Sequence, residues 1–287
     1  MARGGDSFSH AVRPPGPREF EQIRQLAYRT FGLDLKPGKE ELVSARLERL
    51  LRGGGFGSYN DYYRHVLADS TGESLMSLID ALTTNHTSFL REPDHFDFLR
   101  ERVLPALVSR ISVEIWSAAC SSGEEVWTLL LLLREALPGP AIKVIGTDIS
   151  RKALDLATRA IYPADRVRNL PPLWISSGFS ADTGTPKCYS VRPGLRAQVA
   201  FRRLNLIEPF PWSQKFPVIF CRNVMIYFDR PTQQRVIAKL SASLEPGGYL
   251  FVGHAESFSG IEHNLEYVQP AVYRRSGGTK GGLWRAS

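Results

Sequence analysis

A chain of 287 residues suits one large domain or two smaller ones and can bury a sizeable core. An apolar fraction of 43% and a charged fraction of 23% exclude general disorder, and the longest apolar run, eight residues even if Thr128 is included, is far short of the ~20 that span a bilayer. A formal net charge of +7 favours acidic partners without choosing between nucleic acid, acidic protein surfaces and anionic ligands.

Residues 1–17 end in a Pro/Gly cluster and show no apolar periodicity, so they read as a flexible tail. No charged segment followed by an apolar one opens the chain; a secretion signal is therefore not expected, and the reading is cytoplasmic. Phe20, Ile23, Leu26, Ala27 and Phe31 fit one helical face ending at Gly32. A second helix, over 39–52, turns Leu42, Val43, Leu47, Leu50 and Leu51 inward and is stopped by the glycines at 53–55. Arg46, Arg49 and Arg52 recur every third residue and form a basic flank, which spacing alone reads as a solvated face. Ser58, with Asp61 three residues on, starts a third helix, and a fourth covers 75–82. Residues 18–84 are thus expected to be an all-helical domain.

Composition changes at 83–96, TTNHTSFLREPDHF, which is dense in hydrogen-bonding side chains and marks either a site or a capped interdomain linker. A helix over 96–108 then leads into 113–127, VEIWSAACSSGEEVW, which reads as a strand, a small-residue turn and a helix start. Nothing in 117–123 is larger than cysteine, so a ligand can approach the backbone, and Glu124 and Glu125 suit the positive end of the helix dipole. Cys120, Cys188 and Cys221 are far apart and form no CxxC pair, so neither disulfides nor a metal is expected.

After a helix over 124–137, IKVIGTDIS reads as a second buried strand ending in Asp148 and completes a βαβ unit. Asp148 follows Gly123 by 25 residues, close to the ~20 at which an acid reaches ribose hydroxyls in dinucleotide-binding folds; the alternative is a cap for the helix over 150–159. Between 171 and 203, KCYSV and QVAF flank RPGLR and read as a small antiparallel insertion, about 176–203. VIFCRNVMIYF, over 218–228, is a third strand ending in Arg222 and Asn223, followed by a helix over 231–244, an EPGG turn, the strand YLFVG, edge strands over 267–275 and a glycine-rich tail over 276–287.

Alternating strands and helices argue for a doubly wound, mostly parallel sheet with its ligand at the strands' carboxyl ends. A nicotinamide dinucleotide would call for GxGxxG in the first turn. This turn has one glycine and two acids, which repel pyrophosphate but tolerate a cationic, phosphate-free cofactor such as S-adenosylmethionine.

TTNHTSFLRE, WSAACSSGEE, TDIS, Asn205–Leu206, CRNVMIYF and GHAES, in that order and spacing, resemble the CheR-type chemotaxis receptor methyltransferases, which methylate receptor glutamates. The likeness covers about 18–275. It implies a class I S-adenosylmethionine-dependent fold over 85–275, α/β with a small β insertion, preceded by the helical domain. It also implies cofactor contacts at Asn85, Thr87, Arg91, Glu125, Asp148, Asn205, Leu206, Arg222 and Asn223, and a receptor-facing role for the insertion and for the basic helix carrying Arg46, Arg49 and Arg52. The chain departs from the family pattern at Val126, Trp127 and Thr128 (commonly Pro-Tyr-Ser), at Leu90 (a second Phe) and at Pro217 (an Asp).

A glutamate nucleophile with pKa near ~4.3 is already ionised at neutral pH, so no triad is expected and alignment is the main demand. Arg91 and Tyr227 are the catalytic candidates, Arg91 as a carboxylate holder and Tyr227 reaching the methyl region from the strand end. Cys120, His86 and His254 read as structural. Two other readings are a non-catalytic S-adenosylmethionine-binding signalling module and a nucleic-acid methyltransferase. Against the latter, Asn223 is followed by Val224, Met225 and Ile226 rather than by an NPPY-type turn.

Overall fold

The computed structural model describes residues 13–182, 184 and 187–277; most of the two expected tails, 1–12 and 278–287, lies outside the described residues. The chain divides into two compact units, Met1–Thr83 and Thr84–Ser287.

The first unit holds α1 (Pro17–Phe31), α2 (Glu40–Gly53), α3 (Tyr59–Ala68) and α4 (Glu73–Leu82). α1 buries Phe20, Ile23, Ala27 and Phe31 at helical spacing and ends at Gly32, whose φ of 76° is the left-handed value that glycine adopts without strain. Ser58 caps α3 by accepting from the Asp61 N–H at 3.1 Å. In α2 the buried line is Val43, Leu47 and Leu51. Leu42 is not inward but 40% exposed, because it sits one residue, about 100°, off that line. The basic flank is less free than its spacing suggests. The Arg46 guanidinium donates to the Leu82 carbonyl, tying α2 to the end of α4, and Arg52 pairs with Glu48 at 2.6 Å, which leaves Arg49 exposed.

The second unit opens with a helical stretch in three pieces rather than one: α5 (Asp94–Phe98), a π-turn (Leu99–Val103) and a 3₁₀ turn (Leu104–Leu107). Pro105 offers no N–H, so regular α bonding cannot continue through it. Then follow β1 (Ser112–Ala118), α6 (Glu124–Ala136), β2 (Ala141–Asp148), α7 (Arg151–Arg159), β3 (Ile161–Pro163), α8 (Ala164–Val167), α9 (Pro172–Gly178), β4 (Phe179–Asp182), β5 (Cys188–Val191), α10 (Pro193–Arg196), β6 (Val199–Arg203), β7 (Phe216–Cys221), α11 (Arg230–Ser243), β8 (Leu244–Phe251), β9 (Leu265–Gln269) and β10 (Val272–Arg275).

Among the described residues the main sheet runs β6-β2-β1-β7-β8-β10-β9. β6, β2, β1, β7 and β8 pair in parallel, and β10 and β9 close the edge antiparallel. Alternation along the strands feeds two cores. Val113, Ile115, Val218 and Phe220 pack with Val126 and Leu130 of α6, whereas Trp116, Ile145, Ile219 and Leu250 pack with Val236, Ile237 and Leu240 of α11.

The expected insertion needs correcting at both ends. The small antiparallel sheet is β3-β5-β4, so Ile161–Pro163 belongs to it although it precedes position 176. QVAF does not belong to it. That segment is β6, parallel to β2 with Val144 opposite Val199, and RPGLR supplies the helical turn α10 that carries the chain between the sheets. Alternating apolar residues fit either sheet edge, and only the packing of β6 on β2 selects one. EPGG likewise lies inside β8, at a register shift against β7, with Gly247 at φ 78°.

Candidate functional site

β1 sits where the strand order reverses, between β2 and β7, and an open α/β sheet leaves its ligand crevice beyond the carboxyl ends at such a point. Register brings the ends together: Ala118 lies opposite Thr147 and Cys221, and Asp148 lies opposite Arg203. The segments that follow these ends, 119–125, 148–150, 204–206 and 222–223, therefore converge.

The turn after β1 is tight, with Ala119, Ser121 and Gly123 at φ 66°, 50° and 92°. At Gly123 a Cβ would lie 2.9 Å from the Ala157 Cβ and 3.1 Å from the Tyr162 hydroxyl. Its small size thus also serves close packing on α7, a demand that the sequence reading of this turn did not include. Cys120 is buried, and burial together with the nearby Asp148 and Glu125 charges pushes its thiol pKa well up, which removes it as a nucleophile.

The Asp148 carboxylate gathers two turns, accepting from the Ser121 N–H at 2.8 Å and the Ser150 N–H at 2.9 Å. Ser150, not Asp148, caps α7, accepting from the Ala153 N–H. Asn85 joins the same knot, its carbonyl accepting from the Ser121 hydroxyl at 2.9 Å and its amide donating to Ser150 Oγ at 3.3 Å.

The two adjacent acids part company. Glu124 is fully buried, accepts from the Ser122 hydroxyl and pairs with Arg166 of α8 at 2.6 Å. Glu125 accepts from the Ser117 hydroxyl at 2.7 Å and from Arg222 Nη1 at 2.8 Å. The Arg222 side chain, only 2% exposed, also donates to Glu92 Oε2 at 2.9 Å and to the Arg91 carbonyl, with its guanidinium 5.6 Å from the Phe96 ring and 5.9 Å from the Phe220 ring. Burial raises the Glu92 carboxyl, but the Arg222 guanidinium outweighs it and holds the group below its ordinary value. Asn223, at φ 58°, donates through its amide to Glu92 Oε1 at 3.2 Å. Glu125, Arg91, Arg222 and Asn223 are thus one connected group, with Arg222 as its internal clamp.

Asn205 and Leu206 are buried and follow Leu204, whose N–H bonds the Asp148 carbonyl at 2.9 Å. Asn205 folds its own turn, accepting from the Ile207 N–H and donating to Glu208. The Arg91 guanidinium is half-buried and donates to the His86 carbonyl at 2.9 Å, while Thr87 is half-buried and His86 exposed. Tyr227 is half-buried on a 3₁₀ turn, Met225–Tyr227, rather than at the strand end, because β7 stops at Cys221.

Two residues without an assigned role in the sequence reading support this rim. Glu256 is buried and accepts from the N–H groups of Gly253 (2.6 Å), Asn223 (2.9 Å) and Met225 (2.6 Å), and burial raises its pKa. Lys239 donates to the Leu206 and Glu208 carbonyls over the Phe210 ring, and burial lowers its pKa to about 8. Glu256 stands within GHAES, so that motif was its visible signal; Lys239, in a helix interior, had none.

The donor set fits S-adenosylmethionine. Its acids, Glu125 and Asp148, suit a sulfonium and a ribose diol, amides at Asn85, Asn205 and Asn223 are at hand, and Arg222, already shared by two carboxylates, is not available to a pyrophosphate. Of the departures from the family pattern, Thr128 and Leu90 are neighbours, the Leu90 N–H reaching Thr128 Oγ1 at 3.4 Å.

A family model described as CheR methyltransferase, SAM binding domain, matches residues 85–273, and one described as CheR methyltransferase, all-alpha domain, matches 18–83. The chain is 40% identical over 270 residues to a chemotaxis protein methyltransferase of Borreliella burgdorferi, covering 90% of this chain and 94% of that one. It is 38% identical to chemotaxis protein methyltransferase 2 of Pseudomonas aeruginosa, covering 89% and 92%. Against the chemotaxis protein methyltransferase of Escherichia coli the identity is 36%, covering 90% of each. With a class I S-adenosylmethionine-binding sheet that follows an all-helical domain in sequence, the chain belongs to the CheR methyltransferase family.

Proposed function

We propose that the protein transfers a methyl group from S-adenosylmethionine to glutamate side chains on the cytoplasmic helices of chemoreceptors, giving glutamate methyl esters and S-adenosylhomocysteine, and that it works in the cytoplasm. The observation that carries this reading is the connected rim of Asn85, Asp148, Glu125, Arg222 and Asn223 at the switch point. When bound, S-adenosylmethionine supplies an electrophilic methyl. The residues that would hold it are Asn85, Thr87, Arg91, Glu125, Asp148, Asn205, Leu206, Arg222 and Asn223, with Arg222 acting mainly by fixing Glu125 and Glu92.

The substrate carboxylate arrives ionised, so the protein need not remove a proton. Arg91, half-buried, orients a carboxylate by charge-assisted hydrogen bonds, and Tyr227 borders the approach. Carboxylate and sulfonium charges cancel during transfer, so a dry rim favours the reaction. The proposed transfer uses no metal and no nucleic acid. Receptor docking falls to the α2 flank, chiefly Arg49, with Arg46 and Arg52, and to the small sheet β3-β5-β4.

Incubation with radiolabelled S-adenosylmethionine and receptor-bearing membranes tests the reading: base-labile label in the receptor band is expected. Cofactor binding without any transfer would favour a sensing module, and base-stable label in nucleic acid would favour the nucleic-acid reading.

A further inference from the structure

His95, in the first turn of α5, is 0% exposed, and neither of its ring nitrogens makes a hydrogen bond to the described residues. A buried polar group without a partner calls for an explanation, and an ion is one. Its surroundings supply the rest of a coordination set. Glu92 Oε2 lies 3.5 Å from His95 Nδ1, the His254 ring stands edge-on to the His95 ring at 4.7 Å, and one ligand atom from each of the three residues lies within 4.8 Å of the others. A separation of 3.5 Å is long for a hydrogen bond but close to the edge of a tetrahedron around zinc, about 3.3 Å for bonds of ~2.0 Å. Asp94 Oδ2 lies 2.9 Å from His254 Nε2, the carboxylate–imidazole pairing that orients a ligating histidine through its other nitrogen.

Charge points the same way. Glu92 and Asp94 bring two carboxylates to the cluster against the guanidinium of Arg222, which shares Glu92 Oε2, a balance of −1 among these groups when the imidazoles are neutral. His254 is half-exposed and offers a path of entry. We propose that Glu92, His95 and His254 bind one divalent cation of the zinc class, with Asp94 orienting His254. Two imidazoles and one carboxylate select Zn²⁺, Co²⁺ or Ni²⁺ over Mg²⁺ and Ca²⁺. The ion takes no part in methyl transfer. It fastens the 90–92 loop to the loop after β8 and so stiffens the Glu92 carboxylate that holds Arg222 and Asn223. No spacing motif marks this cluster, because His254 stands 159 residues from His95.

The test is titration of the full-length, tag-free, chelator-stripped chain with Co²⁺, followed by visible absorption and calorimetry. One Co²⁺ per chain is expected, with the intense visible bands of four- or five-coordinate cobalt, displaced by Zn²⁺ and not by Mg²⁺. His254→Ala removes this binding with the circular dichroism unchanged, and Asp94→Asn, an exposed position, weakens it about 10–100-fold. Pale six-coordinate cobalt, or affinity unchanged in Asp94→Asn, marks adventitious surface binding and overturns the proposal even if His254→Ala fails to fold.

Discussion

Arg222→Met is the most informative single change, because it separates a cofactor contact from an internal clamp. The native guanidinium bridges Glu125 at 2.8 Å and Glu92 at 2.9 Å with 2% exposure, so methionine fills the volume but leaves two largely buried carboxylates without the cation they share. Removing one partner of a buried ion pair costs about 3–5 kcal/mol. For a unit of this size that lowers the melting temperature by roughly 6–20 °C, at about 2–4 °C per kcal/mol. Urea unfolding followed by tryptophan fluorescence suits the measurement, since the tryptophans among the described residues, Trp116, Trp127, Trp174 and Trp212, all lie in the second unit. Calorimetry with S-adenosylmethionine runs in parallel. The expected outcome is a lower urea midpoint together with weaker cofactor binding, partly restored in Arg222→Met/Glu125→Gln, where one uncompensated charge is gone. An unchanged midpoint with binding abolished would refute the clamp and make Arg222 a direct ligand contact.

Arg91→Ala should cut receptor methylation at least about 100-fold while the melting temperature stays within a few degrees, since its guanidinium makes one exposed bond to a backbone carbonyl; near-normal turnover removes Arg91 from the mechanism. Arg49→Glu should weaken receptor methylation, most at low salt, without changing cofactor affinity, whereas Arg46→Glu should also destabilise the first unit through its bond to Leu82; equal melting temperatures for the two variants would contradict that distinction. Glu256→Gln replaces one carboxylate oxygen by an N–H donor facing backbone N–H groups, at a cost of about 1–3 kcal/mol per orphaned donor, and should raise the KM for S-adenosylmethionine through the Asn223 turn. Burial, helped by the Arg222 charge and opposed by Asp94 and Glu92, pushes the His95 pKa down from 6.5 to about 4, with His254 also facing it. The folded pKa lies below the unfolded one, so between pH 6.5 and about 4 the unfolded chain binds the proton that the native state refuses. In metal-free protein the urea midpoint should fall across that window, and a His95→Gln variant should show a flatter profile; parallel profiles would exclude His95 as the cause.

Helical periodicity in 18–82, the βαβ alternation, the strand ends and the six ordered motifs all rest on local rules, on turn chemistry and side-chain spacing, and a reader of the sequence meets them in full. Ser58 as a cap, Gly32 as a stop and Asp148 at the end of β2 need no distant partner to be recognised. Other features depend on what lies opposite. QVAF has the same alternation whichever sheet it joins, and only the space beside β2 made it β6. Glu124 and Glu125 are adjacent letters, yet one turns to Arg166 and the other to Arg222, since successive residues on a helix point about 100° apart and meet different neighbours. Arg222 reads as a polar strand end and becomes a clamp because Glu92 and Glu125 reach it from 130 and 97 residues away. Sequence alone determined that this chain carries a phosphate-free cofactor rim; tertiary structure alone decided which of its charges pair inside the protein and which stay exposed, because pairing in a buried, low-dielectric rim depends on distances that no spacing in the chain encodes.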